Sequence, residues 1–115
     1  QMLCGRDIKG TMDNYVYLVV NVHDMTAIVV DAAWDLRGIY GYAADLGVKI
    51  IGAVYTHFHA DHVGSSKLGI EGCAEVVEQG CSIWAGQHDA ARIREECRLP
   101  SDSLQELADG DFVAL

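Results

Sequence analysis

The chain contains a helix-like segment between two strand-like segments, and this order restricts the folds it can adopt. Residues 27–30 form a β-branched run, and residues 50–55 form a continuous apolar run of the kind found in sheets covered on both faces. Between them, apolar residues recur at helical spacing, with Asp35 as the predicted N-cap and Gly47 as the predicted stop. The order predicts a βαβ unit with parallel strands and a right-handed crossover.

Further segments extend this alternation on both sides. Residues 15–20 predict a strand that forms a hairpin with residues 27–30. After residue 63, the sequence predicts in turn a short helix opening at 64–66, a helical turn at 74–79, a strand at 82–85 and a helix at 89–97. Ser103 and Glu106 have the spacing of a capping box for another helical turn, and residues 111–115 are predicted to form a final strand. The fold class is therefore α/β.

A cluster of histidines follows directly after the second parallel strand. It spans residues 56–64 and contains His57, His59, Asp61 and His62. If the strand continues through His57 and His59, both imidazoles leave the same face and can bind one metal ion. Asp61 and His62 are adjacent and need a turn, which would bring them to a second ion. Imidazole and carboxylate ligands suit zinc, and also iron or manganese.

The position of the cluster favours metal binding over a purely structural role. In open α/β sheets, sites form beyond the carboxyl ends of parallel strands, and both Asp31 and His57 follow such ends. A lone His-x-His pair often arises by chance, whereas the full string rarely does. Asp31 is predicted either to cap the following helix or to contact a metal ligand, without being a ligand itself. His23 and His88 are predicted to be exposed loop residues.

Composition bears on the class of protein and its partners. The 115 residues are half hydrophobic with one proline, as expected for one ordered domain with a real core. The net charge of −9 and the scattered Lys and Arg residues disfavour nucleic-acid binding. No segment approaches the roughly 20 apolar residues of a membrane span, and the first residues lack an apolar signal segment. We therefore expect a soluble protein of the cytoplasm, with mitochondria as the alternative. The four cysteines form no C-x-x-C pair and are expected to be reduced.

The histidine cluster and its surroundings resemble a known enzyme family. Residues 56–62, the strand that ends at Asp31, and residues 13–19 and 107–111 are similar to segments of the metallo-β-lactamase superfamily, and more closely of its glyoxalase II (hydroxyacylglutathione hydrolase) branch. The resemblance implies the N-terminal half of an αββα four-layer sandwich, in one domain over residues 1–115 that is incomplete at its C-terminus. It also implies that two zinc ions are held by His57, His59, Asp61 and His62, with further ligands in later segments.

The same resemblance implies an activity. It implies hydrolysis of a small-molecule glutathione thioester such as S-lactoylglutathione by a metal-bound hydroxide, which the catalytic carboxylate of Asp61 would orient. Two alternatives stay open: an iron-dependent persulfide dioxygenase, whose branch shares Ala60 within the motif, and a truncated, non-catalytic metal-binding fragment. Ser65 departs from the branch, which usually has a second glycine after Gly64. Half a sandwich would expose strand edges, so self-association is also expected.

Overall fold

One mixed sheet organises the chain in a computed structural model that describes residues 2–4, as backbone, and residues 14–115. Asp13, the first residue of one segment that carries the resemblance, lies outside the described residues. The sheet has six strands within the described ranges, in sequential order: β1 (Met2–Cys4), β2 (Asn14–Asn21), β3 (Thr26–Val30), β4 (Lys49–Tyr55), β5 (Ser82–Gly86) and β6 (Leu104–Leu107). The helices there are α1 (Leu36–Asp45), α2 (Ala60–Val63), α3 (Cys73–Glu78) and α4 (Gln87–Glu96). Strands β1 to β3 pair antiparallel, and β3 to β6 pair parallel.

The predicted hairpin and βαβ unit are both confirmed. Strands β2 and β3 form the hairpin, and β3 and β4 lie parallel with α1 between them in the chain. Helix α1 begins where Asp35 Oδ1 accepts a hydrogen bond from Gly38 N at 2.9 Å. It ends before Gly47, whose φ of 72° lies in the left-handed region that stops helices.

The helices cover one face of the sheet. Sequential strand order with right-handed crossovers places α1, α3 and α4 on the same side, and Ile39, Val76 and Ile93 from these helices share one buried cluster. Strand β2 shows the difference between the faces, because Val16 is buried in that cluster whereas Val19 is 46% exposed. None of the described helices has the length and apolar character needed to cross a membrane.

Three predicted elements are wrong. The chain at 64–66 is not helical, because Ser65 instead pairs with Ile70 through two backbone hydrogen bonds of 2.8 and 2.9 Å. No capping box forms at Ser103, because the following residues join the sheet as β6, where Leu104 is buried opposite Ile83. Residues 111–115 form no strand, and the Asp111 carboxylate instead accepts from Ala108 N at 2.8 Å to close a turn.

Two glycines let the chain after the histidine cluster pack against the start of α3. Gly64 has a φ of 91°, and a Cβ there would lie 2.7 Å from Gly72 Cα. A Cβ on Gly72 would overlap the carbonyl oxygen of Val63. The two backbone segments therefore approach closely at Gly64 and Gly72. Ser65, which stands where the branch usually has a second glycine, does not prevent this approach.

Candidate metal centre

The histidine cluster occupies a bend and a short helix after β4. The expectation that the strand continues through His57 and His59 is wrong, because β4 ends at Tyr55 and His59 already caps α2. The bend nevertheless brings the rings together, with centroids 4.7 Å apart for His57 and His59 and 4.1 Å apart for His57 and His62. Helix α2 provides the turn that Asp61 and His62 were predicted to need.

Asp31 lies beneath this cluster. Among the described residues, it is the charged residue whose side chain is buried. It ends β3 with a φ of 56°, a left-handed conformation that Asp tolerates better than most residues. Its Oδ1 accepts from Thr56 N at 2.8 Å, and its Oδ2 accepts from Thr56 Oγ1 and from His62 Nδ1, each at 2.8 Å. Since Asp35 caps α1, the role of Asp31 is to contact His62.

These hydrogen bonds determine which ring nitrogens remain free. A carboxylate only accepts, so Thr56 Oγ1 donates its proton to Asp31 and accepts from His57 Nδ1 at 2.8 Å. For the same reason, the Nδ1 atom of His62 donates to Asp31. A neutral imidazole carries one N–H, so both rings keep an unprotonated Nε2, the form in which histidine binds metals.

Asn14, at the start of β2, borders the same ring. Its Nδ2 lies 3.0 Å from His62 Nδ1 and 3.4 Å from the carbonyl oxygen of Asp61. One nitrogen cannot accept from Asn14 while it donates to Asp31, and the bond to the carboxylate is the stronger. The Asn14 amide therefore donates to Asp61 and ties β2 to α2. The sequence marks Asn14 only as a turn residue and contains no signal of this contact.

Of the histidine cluster, His57 and His62 join Asp31 in one group of donor atoms that are close enough to hold a metal ion. Ligand atoms of Asp31, His57 and His62 lie within 4.8 Å of one another, and His62 Nε2 lies 3.3 Å from Asp61 Oδ2. Since protein donors occupy both oxygens of Asp31, the two histidines and Asp61 are the better candidates for ligands. Imidazole and carboxylate donors fit zinc, iron or manganese.

Aromatic contacts hold the outer side of the cluster. The ring of His59, which is exposed, meets Phe58 edge to face at 4.9 Å. The guanidinium of Arg92 lies 3.9 Å from the centre of the Phe58 ring, so that α4 packs against the bend that carries His57 and His59. The other histidines of the described chain are exposed, with His23 in the β2–β3 turn and His88 in the first turn of α4 rather than in a loop.

Comparisons with known proteins agree with this architecture. The hydroxyacylglutathione hydrolase of Gloeobacter violaceus is 34% identical over 107 residues, which are 93% of this chain and 37% of that protein. The hydroxyacylglutathione hydrolase of Crocosphaera subtropica is 33% identical over 86 residues, covering 75% of this chain and 31% of that protein. The chain thus spans between 31% and 37% of the length of these curated relatives.

A solved structure and a family model support the expected fold. The crystal structure of DIM-1 metallo-beta-lactamase exposed to ceftazidime superposes with a TM-score of 0.69 at 18% identity, over 96% of this chain and 49% of that chain. The expected half of an αββα sandwich is therefore confirmed. Residues 10–71, more than half of the sequence, match the model of the metallo-beta-lactamase superfamily. The chain belongs to the metallo-beta-lactamase superfamily.

Proposed function

We propose that this chain supplies part of the active site of a metal-dependent hydrolase that cleaves a glutathione thioester. The observation that carries the proposal is the pairing of His57 and His62, whose rings lie 4.1 Å apart above the buried carboxylate of Asp31. The names of the two curated relatives support the substrate class. Because the chain matches only 31–37% of their length, the proposal also requires further metal ligands from outside these residues.

The proposed ligands of two metal ions are those of the motif: His57, His59, Asp61 and His62. Zinc is the first choice, and iron or manganese the alternatives. A divalent metal bound here supplies Lewis acidity and lowers the pKa of a bound water toward neutrality. The chain's own contribution is orientation, since Thr56 and Asp31 hold the Nδ1 protons of His57 and His62 and leave Nε2 for binding.

Asp61 is proposed to act on the attacking water. One of its oxygens lies 3.3 Å from His62 Nε2, which leaves the other oxygen to accept a proton from the water and to hold its direction of attack. A thioester releases a thiolate, which is a weak base compared with the amine released by an amide. The reaction therefore needs no dedicated general acid, and none is assigned within the described residues.

The test of this activity uses the full-length protein loaded with zinc. Loss of thioester absorbance with S-lactoylglutathione supports the proposal. Oxygen uptake with glutathione persulfide by the iron-loaded protein, without thioester loss, would replace it with a persulfide dioxygenase. Absence of both reactions in a protein that contains stoichiometric metal would leave a non-catalytic metal-binding protein and reject the hydrolase.

A pair of histidine variants separates the metal site from general effects. His59→Ala removes a proposed ligand, and His88→Ala removes an exposed histidine of α4 outside the cluster. We expect His59→Ala to lose bound metal and thioesterase activity together, while His88→Ala keeps both. Full activity of a metal-free His59→Ala protein would contradict the proposed mechanism.

A further inference from the structure

A cavity lies between α4 and the segment that follows the histidine cluster. Its volume is about 720 Å³, within the roughly 300–1,000 Å³ of small-molecule sites. Its charged lining consists of Lys67 from that segment and of Arg92, Glu95, Glu96 and Arg98 from α4 and the residues after it. These five side chains are exposed, so a ligand in solution can reach them.

The charge of this cavity differs from that of the whole chain. The sequence has 17 acidic and 8 basic residues, whereas basic residues outnumber acidic ones by three to two in the lining. Arg92 Nε lies 2.9 Å from Glu96 Oε1, so these two charges compensate each other. Lys67, Glu95 and Arg98 make no side-chain hydrogen bond or ion pair with the other described residues. Two positive charges and one negative charge are therefore available to a ligand.

Arg92 connects this cavity to the candidate metal centre. Its guanidinium lies 3.9 Å from the centre of the Phe58 ring, and that ring meets the His59 ring at a centroid distance of 4.9 Å. One aromatic ring therefore separates the wall of the cavity from a proposed metal ligand. A substrate whose reacting group is at the metal needs to extend only past Phe58 to place its other end in the cavity.

Glutathione matches the available charges in number and sign. At neutral pH it carries two carboxylates and one ammonium group, and the ammonium group shares a carbon atom with one of the carboxylates. Glu95 and Arg98 are correspondingly close in the chain, since Arg98 N donates to the Glu95 carbonyl oxygen at 3.3 Å. The reacting sulfur is on the middle one of three residues, so an extended glutathione places its end groups about 7–10 Å from the thioester, at about 3.5 Å per residue.

We propose that this cavity binds the glutathione part of the substrate, an inference that rests on the proposed cleavage of a glutathione thioester. Lys67 binds the carboxylate of the glycine residue. Arg98 binds the carboxylate of the γ-glutamyl residue, and Glu95 binds its ammonium group. Because the three side chains are exposed, water and salt screen these ion pairs, and each pair contributes modestly to affinity.

The test measures by calorimetry how S-methylglutathione, a thioether that cannot be hydrolysed, binds to the zinc-loaded full-length protein. Combining Lys67→Gln with Arg98→Gln removes both positive charges, and we expect the affinity to fall about 3–10-fold at low salt. The control combines Arg37→Gln with Lys49→Gln, which is the same loss of charge at two exposed residues outside the cavity. It should bind S-methylglutathione as the unmodified protein does.

Modified ligands assign the individual contacts. The analogue with glycinamide in place of glycine lacks one carboxylate, so it should bind the unmodified protein about 2–5-fold more weakly than S-methylglutathione does. Lys67→Gln should weaken the binding of S-methylglutathione but cause no further loss with this analogue, because its partner is already absent. The N-acetyl analogue lacks the ammonium group, and Glu95→Gln should cause no further loss with it.

Equal binding of S-methylglutathione and its glycinamide analogue by the unmodified protein would overturn the inference, and this measurement needs no variant. Equal losses of affinity in the Lys67/Arg98 double variant and in the control would also overturn it. If the protein still hydrolyses S-lactoylglutathione in either case, the proposed function stands and glutathione binds elsewhere. Absence of both binding and hydrolysis would reject the inference and the proposed function together.

Discussion

Asp31 Oδ2 lies 2.8 Å from Nδ1 of His62 and holds this ring with its other nitrogen toward Asp61. The same carboxylate receives the Thr56 hydroxyl, which in turn accepts from His57. One buried carboxylate thus orients two histidines, His57 in the bend after β4 and His62 in α2. It is compensated by three hydrogen bonds, as a buried carboxylate must be. The orientation of both rings is therefore set by hydrogen bonds of the protein itself.

Asp31→Asn should weaken zinc binding while the fold is kept. The amide preserves the shape of the side chain but removes the charge that holds the Nδ1 proton of His62. Loss of such a partner behind a metal-binding histidine typically costs about 10–100-fold in affinity. The measurement is the zinc dissociation constant by competition with a chromophoric chelator, with circular dichroism to check the fold.

The matched control is Asp45→Asn, an equal change of charge at the exposed end of α1. It should bind zinc as the unmodified chain does. An equal loss of affinity in both variants would mean that net charge, and not the contact with His62, accounts for the effect.

Gly72→Ala should lower the stability of the fold by disturbing the contact between Val63, at the end of α2, and the start of α3. Gly72 has an extended backbone that any residue can adopt, so the cost comes from the overlap with the Val63 carbonyl oxygen. Forcing such an overlap costs about 1–3 kcal/mol of unfolding free energy. Urea denaturation measures this change directly.

Gly41→Ala is the control for Gly72→Ala. Gly41 lies in α1, and a Cβ there would meet nothing within 4 Å. Alanine is the better helix former, so this variant should gain about 0.5–1 kcal/mol. If both variants were equally stable, the described packing of Gly72 on Val63 would be wrong.

Tyr55→Phe should leave a buried carbonyl without its partner. The Tyr55 hydroxyl donates to the Ala32 carbonyl oxygen at 3.0 Å, one residue beyond Asp31. Burial raises the pKa of Tyr55, so the phenol stays neutral and remains a donor at ordinary pH. We expect a loss of about 1–3 kcal/mol in urea denaturation. The exposed Tyr42→Phe should change stability by less than about 0.5 kcal/mol, and an equally small change for Tyr55→Phe would contradict the contact.

Val19→Lys should reduce self-association through the face of the sheet opposite helices α1, α3 and α4. On that face Val19 is 46% exposed and Tyr15 is 52% exposed, and exposed apolar surface of this kind favours pairing. We predict that the sedimentation coefficient rises with protein concentration and that Val19→Lys weakens association about tenfold, or about 1.4 kcal/mol. Val22→Lys, in the β2–β3 turn, should associate as the wild type does. A monomer at all concentrations would reject the prediction.

The parts of the fold that are predictable from sequence have local signals. Asp35 and Gly47 mark the ends of α1, and the apolar run at 50–55 marks β4 as a buried parallel strand. By contrast, β6 has four residues, and only Leu104 among them is buried. Its formation depends on pairing with β5, a tertiary contact that outweighs the local capping-box spacing of Ser103.

The candidate site also has features that the sequence predicts and features that it does not. The residue types of the cluster identify metal chemistry, but the spacing of His57 and His59 suggested a strand, and the chain instead turns into α2. The partnership of Asp31 and His62 spans 31 positions and exists only because β3 lies beside β4. Sequence alone therefore left Asp31 between two roles, and tertiary packing decides for the contact.

Zinc titration against a chromophoric chelator shows whether His57 and His62 hold a divalent metal. The chain carrying both His57→Ala and His62→Ala is compared with the chain carrying both His23→Ala and His88→Ala, two exposed histidines. We predict that the first pair weakens zinc binding by at least about 100-fold and that the second pair leaves it unchanged. Equal zinc affinity in the two double variants would mean that His57 and His62 do not bind the metal.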